Sequence, residues 1–203
     1  PRLRGADGAV QASCRPRPTL AALLHRNTLL RGTGLLRRAY RRFRERALVP
    51  DEPQRVDVLM GAAMFLRREV FFECGPWDED YTFGGEDLQL STAVGERYEV
   101  VYLPTVEVTH FGRASSRRHV RYVAAHIPVG FLKYLRKSGC SRPALWLYKA
   151  AVSLDAPVQC LGKGAEYLWR RLRGRREAAA KSLLACRGFW HFLTDGLGPF
   201  WRA

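Results

Sequence analysis

No two cysteines of this chain stand as C-x-x-C: Cys14, Cys74, Cys140, Cys160 and Cys186 are odd in number and widely scattered. Neither a disulfide framework nor a zinc cluster is suggested, and reduced thiols in a cytosolic protein are the plainer reading. Apolar runs are interrupted before they reach the ~20 residues that span a bilayer. Lys149 and Asp155 break the best candidate, residues 144 to 162. Acids are scarce, 19 against 34 Lys and Arg, for a formal net charge of +15. No internal repeat or low-complexity tract stands out apart from the arginine bias.

What is present is enough to fold. The 203 residues are 47% hydrophobic and 26% charged, which suits one sizeable core or a domain with an appended helical region, and excludes a disordered tail. The charge is divided along the chain. Residues 1 to 50 hold 12 Arg and 2 acids, residues 51 to 116 hold 5 Arg and 13 acids, and residues 117 to 203 hold 17 basic residues and 4 acids. A nucleic-acid binder usually spreads positive charge over the face carrying its motif, whereas here the middle is acidic and the flanks are basic. Something anionic is expected to meet the flanks.

The order of elements can be read from breakers and periodicity. Gly5 to Gly8 reads as a turn between two short extended pieces. From Thr19, an N-cap candidate, Leu20, Leu23, Leu24, Leu30, Leu35, Leu36 and Tyr40 mark a helical excursion interrupted at Gly32 and Gly34. Pro50 to Pro53 stops it. Residues 56 to 66 form a mostly apolar run consistent with a buried strand, with Gly61 a bulge or close-approach point. A short helix from Arg68 ends at Gly75-Pro76, and residues 77 to 81 form a loop with three carboxylates and two aromatics. Gly84-Gly85 lets the backbone approach a ligand, and Glu86-Asp87 opens a helix whose dipole favours acids in the first turn. Residues 99 to 103 and 106 to 110 are strand candidates separated by Pro104. After Gly112, apolar and basic residues alternate in amphipathic helices, not a second α/β unit.

Four pieces in fixed order now become specific: V-D-V-L-M-G-A-A-M-F-L-R-R-E-V-F from Val56, G-P-W-D-E-D-Y from Gly75, G-G-E-D-L-Q-L from Gly84, and V-V-Y-L-P-T-V-E-V-T-H-F-G from Val100. Any one alone is weak; their order over ~60 residues makes the combination strong. Together they resemble the second half of a family 2, rhamnosyltransferase-like glycosyltransferase catalytic domain. The opening P-R-L-R-G-A-D-G-A-V-Q is similar to the same family, and the likeness is looser after residue 120. Gln89 departs from it, standing where many relatives carry a second acid.

The resemblance implies an α/β fold, a partial GT-A domain over residues 1 to 116 that binds the acceptor, followed by a basic amphipathic helical region, 117 to 203, associated with a membrane. It implies inverting transfer from a nucleotide-sugar donor to a glycan or lipid-linked acceptor in bacterial cell-surface polysaccharide synthesis, at the inner face of the cell membrane. Such a transfer needs a base to take the acceptor's hydroxyl proton while a cation steadies the departing diphosphate. Asp87 is the base candidate by resemblance and Glu86 its neighbour. Asp78, Glu79 and Asp80 are candidates to bind acceptor hydroxyls, with Trp77 or Tyr81 giving a face for a sugar ring and Gly84 and Gly85 giving close approach. His110 is a candidate ligand for a divalent cation, Mg²⁺ or Mn²⁺, expected in the complete enzyme. The family's nucleotide contacts and D-x-D metal motif would precede Pro1, so this chain alone is expected to bind no cation and to turn over no sugar nucleotide.

Two other classes remain open on sequence grounds. One is a non-catalytic basic module for nucleic acid or an anionic membrane; no helix-turn-helix, zinc-knuckle or R-G-F motif supports the nucleic-acid version. The other is an inactive remnant of a truncated gene.

Overall fold

A computed structural model describes residues 1–45, 51–112, 116 and 118–203. Its first half is α/β. Strands β1 (Arg2–Arg4) and β2 (Val10–Gln11) pair antiparallel across the expected turn, where the Gly8 N–H donates to the Gly5 carbonyl at 3.0 Å. On the other side of β1 lies β7 (Glu107–Thr109), parallel, with Leu3 opposite Val108. Two further ladders are antiparallel: β3 (Cys14–Arg15) with β5 (Val58–Leu59), and β4 (Gln54–Arg55) with β6 (Val101–Tyr102).

Helices fall where breakers and caps place them. The Thr19 hydroxyl accepts from the Ala22 N–H at 3.2 Å and opens α1 (Leu20–Asn27). Of the two expected interruptions only Gly34 is one: α2 (Leu30–Thr33) runs through Gly32 and ends at Gly34 with φ of +80°, and α3 (Arg37–Glu45) starts afresh. The stop expected at 50 to 53 lies partly outside the described residues; Asp51 is seen paired with Arg2 at 2.9 Å. Helix α4 (Arg68–Glu73) ends before Gly75, and α5 (Glu86–Gly95) starts at the acid pair.

The strand expected over residues 56 to 66 is shorter. Only Val58 and Leu59 pair as β5, and Phe65 is 77% exposed. The chain leaves the ladder at Gly61 because its N–H is taken by the Asp87 carboxylate at 3.2 Å. Beyond that turn Met64 still packs on the sheet-side cluster, while Phe65 and Leu66 lie on the surface. The strands around Pro104 are likewise cut to two and three residues.

The second half is helical: α6 (Val120–Lys137), α7 (Arg142–Leu172), α8 (Arg176–His191), a π-helical turn (Phe192–Gly196) and α9 (Leu197–Arg202). Helix α8 folds back along α7, bringing the Cys160 and Cys186 sulfurs to 3.8 Å as free thiols. Among the described residues no helix is long and apolar enough to cross a membrane.

One core joins the halves. Leu23 and Leu24 from α1, Val58 from β5 and Leu88 from α5 pack with Phe131, Leu132 and Leu135 of α6, Tyr148 and Val152 of α7, and Phe192 and Phe200. Each such side chain contributes about 1.5–3 kcal/mol by leaving water. The sheet side keeps a smaller cluster of Cys14, Leu59 and Tyr102. The boundary near residue 116 falls largely outside the described residues.

The tightest backbone contact in that core is between Gly130 and Gly84. A Cβ on Gly130 would stand 1.8 Å from the Gly84 carbonyl oxygen, so no other residue fits without moving α6. Gly130→Ala is expected to cost about 3 kcal/mol, the upper end of ordinary overpacking. Gly162→Ala, in open space within α7, should instead gain about 0.5–1 kcal/mol from helix propensity. Thermal unfolding of the two variants checks this, and equal effects would show that the Gly130 contact is not tight.

Candidate functional site

Helix α5 begins directly after two glycines in the left-handed region, Gly84 at φ +81° and Gly85 at +104°. A side chain at Gly85 would strike the Tyr81 ring at 2.9 Å and approach the Gly130 carbonyl at 3.2 Å. Two glycines are therefore required by conformation and by space. They turn the chain sharply enough to place Glu86 and Asp87 in the first turn of α5 while α6 backs the turn.

Asp87 is well held. Its Oδ2 accepts from the Gly61 N–H at 3.2 Å, its Oδ1 from its own helix at Leu88 N–H, 2.8 Å, and Arg15 approaches at 3.4 Å. The carboxylate is 13% exposed, and Arg15 supplies the positive charge that a group so far from water needs. Arg15 comes from β3 and Gly61 from the turn after β5, so the β3–β5 ladder positions both partners. The approach of Gly61 is close: a Cβ there would lie 3.2 Å from Asp87 Cβ.

Glu86 is different in kind. Its Oε2 is buried and has no hydrogen-bond partner, and the Nε of Arg15 is in the same condition. Buried polar atoms are nearly always satisfied, so each of these two atoms is open to a further polar partner, water or ligand.

The loop of residues 77 to 81 is tied to α6. Lys137 bridges Asp78 and Asp80, the latter at 2.9 Å, and Lys133 donates to the Asp80 carbonyl. The Lys137 bonds hold the Asp80 carboxyl below its ordinary value. Tyr81 links this loop to α5, its hydroxyl donating to Gln89 Oε1 at 3.4 Å. Burial first, then the charge of Asp78, pushes that hydroxyl up, so it stays protonated. Trp77 is 43% exposed beside Phe71, with ring centroids 6.4 Å apart, and Glu79 is exposed. Glu86, Asp87, Gly84, Gly85 and Tyr81 are thus brought together; Asp78 and Asp80 already have cationic partners.

His110 belongs to another cluster. Its Nδ1 lies 3.0 Å from Gln11 Oε1 and its backbone N–H donates to the Arg4 carbonyl at 2.8 Å. Among the described residues no three His, Cys, Asp or Glu side chains gather as a metal site. His110 offers a single ligand at most.

Sequence reasoning missed Arg15, Gly61 as the Asp87 partner, and Lys137. Lys133 and Lys137 are four apart, one cationic face of a helix, and that spacing opposite three carboxylates was the available signal. Nothing local marks Arg15, since its pairing spans 72 residues.

No protein-family model matches this chain, and no solved structure matches it. It is similar to the N-acetylglucosaminyl-diphospho-decaprenol L-rhamnosyltransferase of two strains of Mycobacterium tuberculosis, at 30% identity over 159 residues. The match takes in 76% of this chain and 51% of each relative. The chain spans about half the length of the curated relatives it matches.

The geometry gives Asp87 a structural role that can be measured by itself. Asp87→Ala removes the acceptor of the Gly61 N–H and leaves Arg15 without its partner, for an expected loss of about 1–3 kcal/mol. Asp87→Asn keeps an oxygen for Gly61 and should lose about 1 kcal/mol or less. Urea midpoints decide; an Asn variant as weak as the Ala variant would mean that charge, not the hydrogen bond, holds the turn.

Proposed function

We propose that this chain is the acceptor-binding part of an inverting glycosyltransferase with Asp87 as the general base. The observation that carries the reading is the half-buried Glu86–Asp87 pair behind Gly84-Gly85, with Asp87 fixed by Gly61 and Arg15 and one Glu86 oxygen unpartnered. The similarity to a rhamnosyltransferase supports it at the level of a sugar transferase.

In this reading the acceptor hydroxyl donates its proton to Asp87 as its oxygen attacks the anomeric carbon, and the bond from that carbon to the donor's diphosphate breaks. Attack opposite the leaving group inverts the configuration. Glu86 Oε2 accepts from a second acceptor hydroxyl, and the Arg15 Nε is the orphaned donor that an incoming oxygen satisfies. The donor is a nucleotide sugar and the acceptor a lipid-linked glycan, the class named for the mycobacterial relative. The nucleotide pocket and any Mg²⁺ or Mn²⁺ carboxylates then belong to the part of such an enzyme that this chain does not match, and cell-surface polysaccharide synthesis is the setting.

A lipid-linked acceptor calls for attachment to the inner face of the membrane. Helix α7 supports it: Leu147, Leu154, Leu161 and Leu168 recur every seventh residue and all are exposed, Leu154 and Leu161 at 76%. Trp169 lies beside them under the Arg173 guanidinium, 4.4 Å from the ring centroid. Apolar and aromatic groups next to Arg are what an interfacial helix presents to anionic lipid.

Two experiments test these readings. In a chimera joining this chain to the unmatched part of the mycobacterial relative, Asp87→Asn should lower kcat by about 10² to 10⁴ with donor affinity little changed. Glu86→Gln should cost less and raise the acceptor KM; a fall under about threefold for Asp87→Asn would move the base elsewhere. The 203-residue chain should also bind vesicles containing anionic phospholipid and release in high salt, with Leu161→Glu binding less. Equal partition onto neutral vesicles would remove the electrostatic part, and tighter binding to a DNA duplex would overturn the membrane reading.

A further inference from the structure

A groove of about 460 Å³ lies between α1, α6, α7 and α8, within the roughly 300–1,000 Å³ range of small-molecule sites. Its walls are apolar, with Val123, Ile127 and Phe131 of α6 facing Val152 of α7 and Leu184 and Phe189 of α8. Two features keep it open. Pro128 has no N–H to give the Ala124 carbonyl, so α6 lacks one rung at the groove. Across it, Ala185 and Gly188 leave room, since a side chain begun at Gly188 would meet only Val120 and Ala124, at 3.8 and 3.9 Å.

The lining carries three cations, Arg26, Arg31 and Lys181, and no acid. Arg31 is fixed by donation to Gln159 Oε1 at 2.7 Å, and Gln159 donates in turn to the Asn27 carbonyl at 3.3 Å. Arg26 stands over the Phe131 ring at 5.0 Å, while Lys181 is exposed. An apolar trough with guanidinium and ammonium groups along it complements a ligand that has a hydrocarbon chain and a phosphate head.

The groove lies directly behind the turn that opens α5. Ile127 forms part of its wall and backs Gly84, where a Cβ would come within 3.2 Å of Ile127 Cγ1. One side chain thus separates the groove from the turn that presents Glu86 and Asp87.

We infer that this groove binds the chain of a phosphorylated polyprenyl lipid, with Arg26, Arg31 and Lys181 taking its phosphate. The ligand's identity as the acceptor's own lipid rests on the transferase reading; its binding does not. The bound chain anchors the acceptor behind the turn and limits how far its sugar can wander from Asp87.

Calorimetric titration of the 203-residue chain with farnesyl diphosphate, in detergent-free buffer below its aggregation limit, tests this. Saturable binding is expected, weakened roughly tenfold or more by Gly188→Leu, which fills the trough with a good helix former, and several-fold by Lys181→Glu on the surface. Thermal midpoints confirm folding; if Gly188→Leu fails to fold, Ala185→Leu tests the same wall. Farnesol binding as tightly as farnesyl diphosphate, inorganic pyrophosphate binding as tightly, or indifference to the filling variants would each overturn the assignment. Because no sugar transfer is involved, a negative titration leaves the role of Asp87 standing. Loss of transfer by Asp87→Asn, in turn, should leave the titration unchanged.

Discussion

The contact between Gly130 and Gly84 is the constraint from which the arrangement of the site follows. Two backbones meet where any Cβ on α6 would stand 1.8 Å from a carbonyl oxygen. With α6 that close, residues three and seven positions further along the same face come level with the preceding loop. Those residues are Lys133 and Lys137, and they bind the Asp80 carbonyl and the Asp78 and Asp80 carboxylates. The turn at Gly84-Gly85, the loop of residues 77 to 81 and the start of α5 are therefore set by one helix, and that helix is set by one glycine.

Asp87 carries two demands that pull in one direction. As a structural group it ends β5 by capturing the Gly61 N–H, and it neutralises Arg15. In the proposed role of base it needs a fixed carboxylate facing a substrate. Fixation by the fold serves both, because a carboxylate already oriented needs no reorganisation when a hydroxyl arrives. Glu86, one residue earlier, is the unsatisfied partner, with a buried oxygen that the protein's own donors do not reach.

Much of this was legible because the signals are local. The Thr19 cap, the breaks at Gly34 and Gly75, the acids opening α5 and the helical texture after Gly112 each depend on a few neighbouring residues, and each stands in the structure. The strand of residues 56 to 66 was overextended because apolar composition does not report where a distant carboxylate will take a backbone N–H. The lysine partners of Asp78 and Asp80 were hidden for the same reason, lying 57 to 59 residues away. The candidate residues come from their motif, but the pairings that hold them are long-range and have no signature in sequence.

The shared core has a consequence for the order of events during synthesis. Leu23, Val58 and Leu88 share their core with α6, α7 and the segment reaching Phe200, which is itself fully buried. A growing chain therefore makes the acid pair long before it makes the wall behind it. Until α9 has left the ribosome, the apolar side of α1 and α5 stays open to solvent and to other chains, the circumstance in which chaperones are most needed. The turn that presents Glu86 and Asp87 is thus completed from behind, by residues made after it.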